Sequence, residues 1–471
     1  MSNTFYITTT LPYVNAKPHI GFALELVQAD VIARYQRICG KNVIFNTGTD
    51  EHGLKIYQKA VEAGLTPQAY CDSFAAIFQK LKHAYNLSYT HFTRTTDPSH
   101  KQAAQAFWIK CRDAGFIDKK MYDIQYCVGC ELEKTDSELV DGRCPLHPNV
   151  AVETIKEENY FFKFSAFQQS LLALYADNRS FVVPEFRLRE IENFITEDAV
   201  DFSISRLASK MPWGIPVPGD EEHVMYVWFD ALINYISVLG WPDDLDTFQD
   251  AWPGVQIAGK DNLRQQSAMW QAMLASVGLP HSSQIIIHGF ITSNGQKMSK
   301  SLGNVVDPFD QVEKFGTDAV RYYLIAEIPT FDDGDYSETR FVELYNADLA
   351  NGIGNHTSRI LKLAEGMKYV PTAADATLYE AVDKHMRAYE SGSAIMALRT
   401  QLSQYSKALD ADHPWTIKET HLKQEILITH LRNLYQFAYN LQIFLPDTAN
   451  QILDALSAPS ITAPKPLFAR I

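Results

Sequence analysis

Lys297 and Lys300 stand in the stretch Ser293-Asn294-Gly295-Gln296-Lys297-Met298-Ser299-Lys300-Ser301-Leu302-Gly303-Asn304. Gly295 and its small polar neighbours predict a turn soon after the apolar strand-like run 285–287, and that turn puts two ammonium groups where they can meet a polyphosphate. An arbitrary Lys-x-x-Lys is most often a solvated turn, but the string Lys297-Met298-Ser299-Lys300-Ser301 is far rarer than that spacing. Pro18-His19-Ile20-Gly21 precedes a helical pattern, where helix N–H groups and the helix dipole favour an anionic phosphate and an imidazole donates as well. Taken alone, a histidine there is more often a capping residue. Gly259-Lys260-Asp261 follows another apolar run. Its glycine admits a close backbone approach, and its carboxylate can accept from ribose hydroxyls. Asp50, in Thr47-Gly48-Thr49-Asp50-Glu51-His52-Gly53, can pair with an ammonium group or serve as a turn residue.

Cys127-Val128-Gly129-Cys130 and Cys144-Pro145-Leu146-His147 are two close donor pairs separated by thirteen residues. Three thiolates and an imidazole complete a tetrahedral Zn2+ shell and leave no position for water, which predicts a structural metal. The other cysteines, Cys39, Cys71 and Cys111, are scattered through helical patterns, as in a reducing compartment. The aromatic run 226–235 predicts core.

These residues need elements to hold them. Residues 5–10, 42–46, 255–259 and 285–288 read as strands; 20–37, 55–63, 67–84 and 99–114 read as helices, and the last two strands each lead into a helical stretch. Such alternation predicts a doubly wound parallel α/β sheet, with His19 and Asp50 in loops at the carboxyl ends of strands. From 116 the pattern breaks into short turns around the cysteines, an insertion. From 337 onward the segments 340–365, 378–409 and 421–444 predict a helical bundle, followed after Pro446 by an irregular tail. The expected division is 1–115 and 201–336 for the two halves of a catalytic domain, 116–200 for the insertion and 337–471 for the bundle.

With 46% hydrophobic and 21% charged residues among 471, the composition is that of a globular protein, and no run approaches the ~18 apolar residues of a membrane span. The N-terminus carries neither a basic region nor an apolar signal core, which predicts a cytoplasmic location. A net charge of −14 excludes bulk attraction to nucleic acid, so any RNA contact must be local and directed.

Together the motifs resemble the methionyl-tRNA synthetase family of class I aminoacyl-tRNA synthetases. The resemblance extends over nearly the whole chain and includes Leu11-Pro12-Tyr13, the 47–53 loop, the cysteine cluster, Ser203-Ile204-Ser205-Arg206, Pro212-Trp213-Gly214-Ile215-Pro216, residues 227–231, Gly259-Lys260-Asp261 and the lysine string. It implies a Rossmann catalytic domain split by a zinc-bearing connective insertion and followed by a helical anticodon-binding domain. Leu11, Tyr13, Trp228, Tyr235, Gln266 and Trp270 are then expected around L-methionine, with Asp50 on its amino group. His19, Gly21, Gly259, Asp261, Lys297, Met298, Ser299, Lys300 and Ser301 are expected on ATP and its Mg2+-bound pyrophosphate, Cys127, Cys130, Cys144 and His147 on zinc, and Asn355, Arg359 and Trp415 on the anticodon of tRNA(Met), initiator included. Two positions depart from the family pattern: Phe22 stands where a second signature histidine is usual, and Gln266 replaces a pocket histidine. The resemblance further implies a monomer, because no β-barrel appendage follows residue 471. Two alternatives accompany it: a class I synthetase for another apolar amino acid, or a tRNA-binding paralogue without catalysis.

Overall fold

The computed structural model describes residues 3–130, 132–134, 138–298, 303–462 and 465–471. The chain forms two compact units. One comprises residues 1–17, 46–79 and 90–287; the other comprises 18–45, 80–89 and 288–471.

The first unit is built on a six-stranded sheet in the order His91–Arg94, Asn42–Thr49, Thr4–Thr9, Val255–Gly259, Gln284–His288, Val182–Val183. Thr4–Thr9 and Val255–Gly259 run parallel, with Ile7 opposite Val255 and Thr9 opposite Ile257. Strands far apart in sequence are therefore neighbours, and the loops that leave them emerge at one edge. Continuous apolar burial explains the pattern: Ile7, Phe45, Ile257 and Ala258 are fully enclosed or nearly so. The second strand runs past the expected residue 46 to Thr49, and Gly48 is required there, because a Cβ would meet the Thr93 carbonyl oxygen at 1.8 Å.

The segment expected to be short turns contains a long antiparallel pair, Ile117–Cys127 with Val152–Phe162, and two helices, Gln168–Asp177 and Glu185–Asp198. Between those helices Val182–Val183 returns to pair with Ile285 and Ile286 at the sheet edge, a strand too short to show any periodicity. A π-helical turn, Gln265–Met269, leads into helix Trp270–Ser276.

In the second unit, helix Ile20–Ile38 begins at His19 and the remainder is almost entirely helical. The helical stretch expected directly after 285–288 is replaced by a hairpin, Ile291–Ser293 with Gln296–Lys297; Asn294 (φ 51°) and Gly295 (φ 72°) both adopt the left-handed conformation that a two-residue Asn-Gly turn demands. The next helix is Pro308–Phe315. The stretch 378–409 is two helices, Glu380–Arg387 and Ser391–Asp412, interrupted at Tyr389, whose φ of 60° cannot continue a helix. The tail is not irregular throughout: Pro446–Ser457 is a helix with Ala449, Ile452 and Leu456 buried along one face. Pro446 starts it at no cost, since the first-turn N–H it lacks has no helical partner. No helix among the described residues is long and apolar enough to cross a membrane.

Candidate active site

In the first unit, the Thr4–Thr9 strand continues into Leu11-Pro12-Tyr13, and Tyr13 forms a parallel bridge to Asp50. Asp50 N–H donates to the Pro12 carbonyl at 2.9 Å and its own carbonyl accepts from Val14 N–H at 3.2 Å, so the loop holding Asp50 is fixed alongside the loop holding Tyr13. The neighbouring residue anchors it further. Glu51 receives two hydrogen bonds from the Arg94 guanidinium, at 2.7 and 2.8 Å, and one from Thr49 at 2.6 Å, while its carbonyl accepts from the Trp213 indole. Asp50 itself is buried. A carboxylate in so rigid a frame is suited to holding an ammonium group without reorganisation.

The aromatic run expected to be core is only partly that. Val227–Leu232 is a short helix in which Val227 and Phe229 are buried, as is Tyr226 just before it, but Trp228 is only half-buried and packs with Tyr13 against Tyr126, Tyr226 and Val227. Trp270 is fully enclosed, with Tyr235 edge-on at 5.9 Å between ring centroids. Among the described residues neither the Trp228 nor the Trp270 indole N–H has a hydrogen-bond partner. Gln266 Nε2 donates to the Tyr235 hydroxyl at 2.7 Å, and Gln266 Oε1 accepts from Gln256 Nε2 at 3.0 Å. Across the parallel pair, Val255–Gly259 ends in the short 3-10 turn 260–262, which leaves Asp261 exposed at the carboxyl edge next to the strand that supplies Leu11 and Tyr13.

In the second unit His19 caps helix Ile20–Ile38: its Nδ1 accepts from Gly21 N–H at 3.1 Å, so the ring proton is on Nε2. Gly21 is needed for this closeness, since a Cβ would lie 3.0 Å from the imidazole and 3.1 Å from Ile291. Ile20 N–H is already taken by the Val306 carbonyl at 3.0 Å. Fewer backbone donors than expected therefore remain at this helix end, and the exposed imidazole is the donor best placed for a phosphate. Phe22 is half-buried in the first turn. The hairpin carrying Lys297 is braced by Asp335, which accepts from Gly295 N–H at 2.7 Å and from Thr292 at 2.6 Å. Met298 follows it; Ser299, Lys300 and Ser301 lie outside the described residues.

The donor atoms of Cys127, Cys130, Cys144 and His147 all lie within 4.8 Å of one another. Cys130 Sγ is 3.3 Å from Cys144 Sγ and 3.2 Å from His147 Nδ1, and Cys127 Sγ is 3.9 Å from the same nitrogen. Donors around a tetrahedral zinc stand about 3.5–3.8 Å apart given Zn–S near 2.3 Å and Zn–N near 2.0 Å, so the set fits the ion. Gly129 makes room for it: a Cβ there would lie 2.4 Å from the His147 ring.

In the helical bundle Asn355 and Arg359 are one turn apart on helix Asn355–Leu363, with Asn355 exposed. The Arg359 guanidinium lies over the Trp415 ring at 5.5 Å and pairs with Asp410 at 2.5 Å. Trp415 is 45% exposed, which rules out a core role. His413, in the left-handed conformation, ends helix Ser391–Asp412 and turns the chain so that its ring sits 5.2 Å from Trp415.

Comparison with known proteins gives this geometry its context. Residues 5–153 and 147–361 match the family model described as tRNA synthetases class I (M). The methionine–tRNA ligase of Thermosynechococcus vestitus is 44% identical, covering 97% of this chain and 90% of that protein. That of Brucella suis is 39% identical, covering 97% and 92%. This chain belongs to the methionyl-tRNA synthetase family. A solved member, Mycobacterium tuberculosis methionyl-tRNA synthetase in complex with methionyl-adenylate, matches with a TM-score of 0.92 at 34% identity over the whole of both chains; the apo form of the same enzyme matches at 0.84.

For a member of this family, the residues expected from sequence gather as follows. Leu11, Tyr13, Asp50, Trp228, Tyr235, Gln266, Trp270, Gly259 and Asp261 all belong to the first unit, and His19, Gly21, Lys297 and Met298 to the second. Sequence reasoning missed the supports: Glu51 with Arg94, the His52–Asp230–His100 contacts, and Gln256. Each is an ordinary polar residue joined to its partner across long stretches of chain, and only the Thr-Asp-Glu-His density of the 47–53 loop pointed toward them.

Proposed function

We infer that this chain ligates L-methionine to tRNA(Met), elongator and initiator, by way of methionyl-adenylate. The observation that carries the reading is the juxtaposition, at the carboxyl edge of one parallel strand pair, of the Tyr13–Asp50 bridge and the Gly259-Lys260-Asp261 turn. A relative was solved holding methionyl-adenylate, the molecule such an edge would bind.

Asp50 takes the ammonium group of methionine, and the aromatic surfaces of Tyr13, Trp228, Tyr235 and Trp270, with Leu11, enclose a polarizable thioether. Gly259 lets the ribose approach the backbone, and Asp261 accepts from its hydroxyls. The methionine carboxylate oxygen attacks the α-phosphorus of ATP, forming the acyl–phosphate bond as the bond to pyrophosphate breaks. His19 Nε2–H with Gly21, and the Lys297-Met298-Ser299-Lys300-Ser301 string, meet the phosphates, so that Lys297 and Lys300 balance charge on the leaving group. A terminal ribose hydroxyl of the tRNA then attacks the carbonyl carbon and gives up its proton to the phosphate, and AMP leaves with the bonding electrons. Holding both reactants in one frame supplies much of the acceleration.

Mg2+ would supply further charge neutralisation on the phosphates when bound. Cys127, Cys130, Cys144 and His147 would hold one zinc, which folds the insertion over 116–200. Residues 337–471 serve as the anticodon-binding part, with Trp415 stacking on a base and Asn355 and Arg359 contacting base edges or phosphate.

ATP–pyrophosphate exchange with each amino acid in turn tests the reading. Methionine alone should support rapid exchange. Faster exchange with another apolar amino acid, or none with any, would replace this reading with one of the two alternatives.

A further inference from the structure

Within the first unit, helix Glu185–Asp198, strand Phe202–Ser203 and the π-helical turn Gln265–Met269 border a cavity of about 150 Å3. Phe194, Phe202, Tyr226 and Met269 give it aromatic and apolar walls. Tyr226 also packs in the group that holds Tyr13 and Trp228, and Gln265, on the cavity wall, directly precedes Gln266, which bonds to Tyr235. The cavity therefore shares a wall with the place proposed for the methionyl group. Gln265 is only 4% exposed, and among the described residues nothing donates to its Oε1. The side chains of Gln266 and Gln271 close by are hydrogen-bonded, so a buried amide oxygen left unmet is an exception that calls for a cause. The turn that carries it is π-helical, a geometry frequent at functional sites. At the mouth, Arg264 pairs with Glu138 at 2.7 Å and lays its guanidinium over the Phe194 ring at 4.3 Å.

We propose that this cavity takes the adenine base of the tRNA's 3′-terminal nucleoside and that the Gln265 amide reads it. This rests on the reading of the chain as a methionine–tRNA ligase, whose second step brings the terminal ribose to the methionyl carbonyl. Adenine carries an amino donor beside a ring-nitrogen acceptor, and a glutamine amide meets that pair with its oxygen and its N–H. Aromatic rings and a guanidinium plane are the surfaces on which unpaired RNA bases stack. Asp198 and Asp201 also line the cavity, and two carboxylates disfavour a phosphate, so an uncharged base enters and the phosphates stay outside. The volume suits one planar group, since pockets for whole small molecules run to about 300–1,000 Å3.

The test is charging of two tRNAs, one ending in adenosine and one ending in purine riboside, which lacks only the amino group, by the wild-type protein and by Gln265→Leu. For the wild type, kcat/KM for the tRNA should be about three- to tenfold lower with the purine end, the worth of one neutral hydrogen bond. Gln265→Leu should lose at least that factor with the adenosine end and no longer distinguish the two. ATP–pyrophosphate exchange without tRNA should keep its rate and its KM for ATP. If Gln265→Leu does not fold, Gln265→Met, unbranched and of similar length, carries the same expectation. A preference for adenosine that survives the substitution would overturn the proposal, whatever the overall loss of activity. A raised KM for ATP in exchange would place the base of ATP in the cavity and overturn it as well. A wild-type protein that charges both tRNAs equally would overturn the proposal and leave the ligase reading standing, whereas one that charges neither would overturn both.

Discussion

His52 Nδ1 lies 2.8 Å from Asp230 Oδ2, a contact that joins the loop carrying Asp50 to the helix carrying Trp228. The other oxygen, Oδ1, is 3.0 Å from His100 Nε2, and all three side chains are almost completely buried. Burial opposes ionisation of Asp230, but the two imidazoles outweigh it and hold the carboxyl below its ordinary range. An ionised carboxylate only accepts, so each ring donates to it. The loop proposed to bind the ammonium group and the aromatic wall of the proposed pocket are thereby tied by one buried anion.

Replacing that anion by an amide should uncouple the two walls. Asp230→Asn keeps the volume but gives one histidine a donor where it needs an acceptor, at a cost of about 2 kcal/mol or more in unfolding free energy. The KM for methionine in pyrophosphate exchange should rise as well. Urea unfolding and exchange kinetics measure the two effects, and an unaltered KM in a destabilised variant would show that the contact serves the fold alone.

The cysteine cluster reaches further than its sequence suggested. Val128, between two of the donors, packs against the same Tyr126, Tyr226 and Val227 group as Tyr13 and Trp228. Chelation should therefore release one zinc per chain and, with it, change the tryptophan fluorescence and raise the KM for methionine together. Fluorescence and activation that survive complete zinc removal would confine the metal to the insertion.

Much of this was legible beforehand, and the division follows from physics. The lysine string, the cysteine–histidine cluster and the Gly259-Lys260-Asp261 turn are short, local patterns that their spacing alone brings to notice. The parallel sheet showed as apolar runs between helices. Val182–Val183 escaped because two residues cannot display a period, and Pro446–Ser457 because prolines masked an apolar face that Ala449, Ile452 and Leu456 form. Trp415 was ambiguous by residue type, and only its exposure beside Arg359 decided against core. The Gln266–Tyr235 contact and the His52–Asp230–His100 contacts had no local signal, since they join loops and helices distant in the chain.

His356, beside Asn355, gives the helical bundle a pH response. Burial, helped by His430 and Arg359 and opposed by Asp410, lowers its pKa from 6.5 to about 4, and the Ser406 hydroxyl bonds to its Nδ1 at 2.9 Å. A histidine depressed in the folded state contributes stability that is fully present above its unfolded pKa and is lost as pH falls toward the folded one. Between pH 6.5 and 4 the loss should reach about 3 kcal/mol. Thermal unfolding followed across that range should show a steeper decline for the wild-type protein than for His356→Gln; parallel curves would contradict the assignment.

Trp415→Ala should weaken charging of tRNA(Met) by about five- to 150-fold, the worth of one base–aromatic stack, while methionine activation without tRNA remains intact. Side-by-side charging and exchange assays decide it. Normal charging, or equal loss of both activities, would remove Trp415 from the RNA-binding surface.

The most direct test of the central claim is a product count from the purified protein with ATP, methionine and a tRNA bearing the CAU anticodon. One AMP, one pyrophosphate and one methionyl ester on the tRNA should form per turnover, and the rate should fall by at least ~10²-fold in Lys300→Ala, the variant that removes charge from the leaving group's partner. Formation of ADP and phosphate, or an ester of a different amino acid on its tRNA, would contradict it.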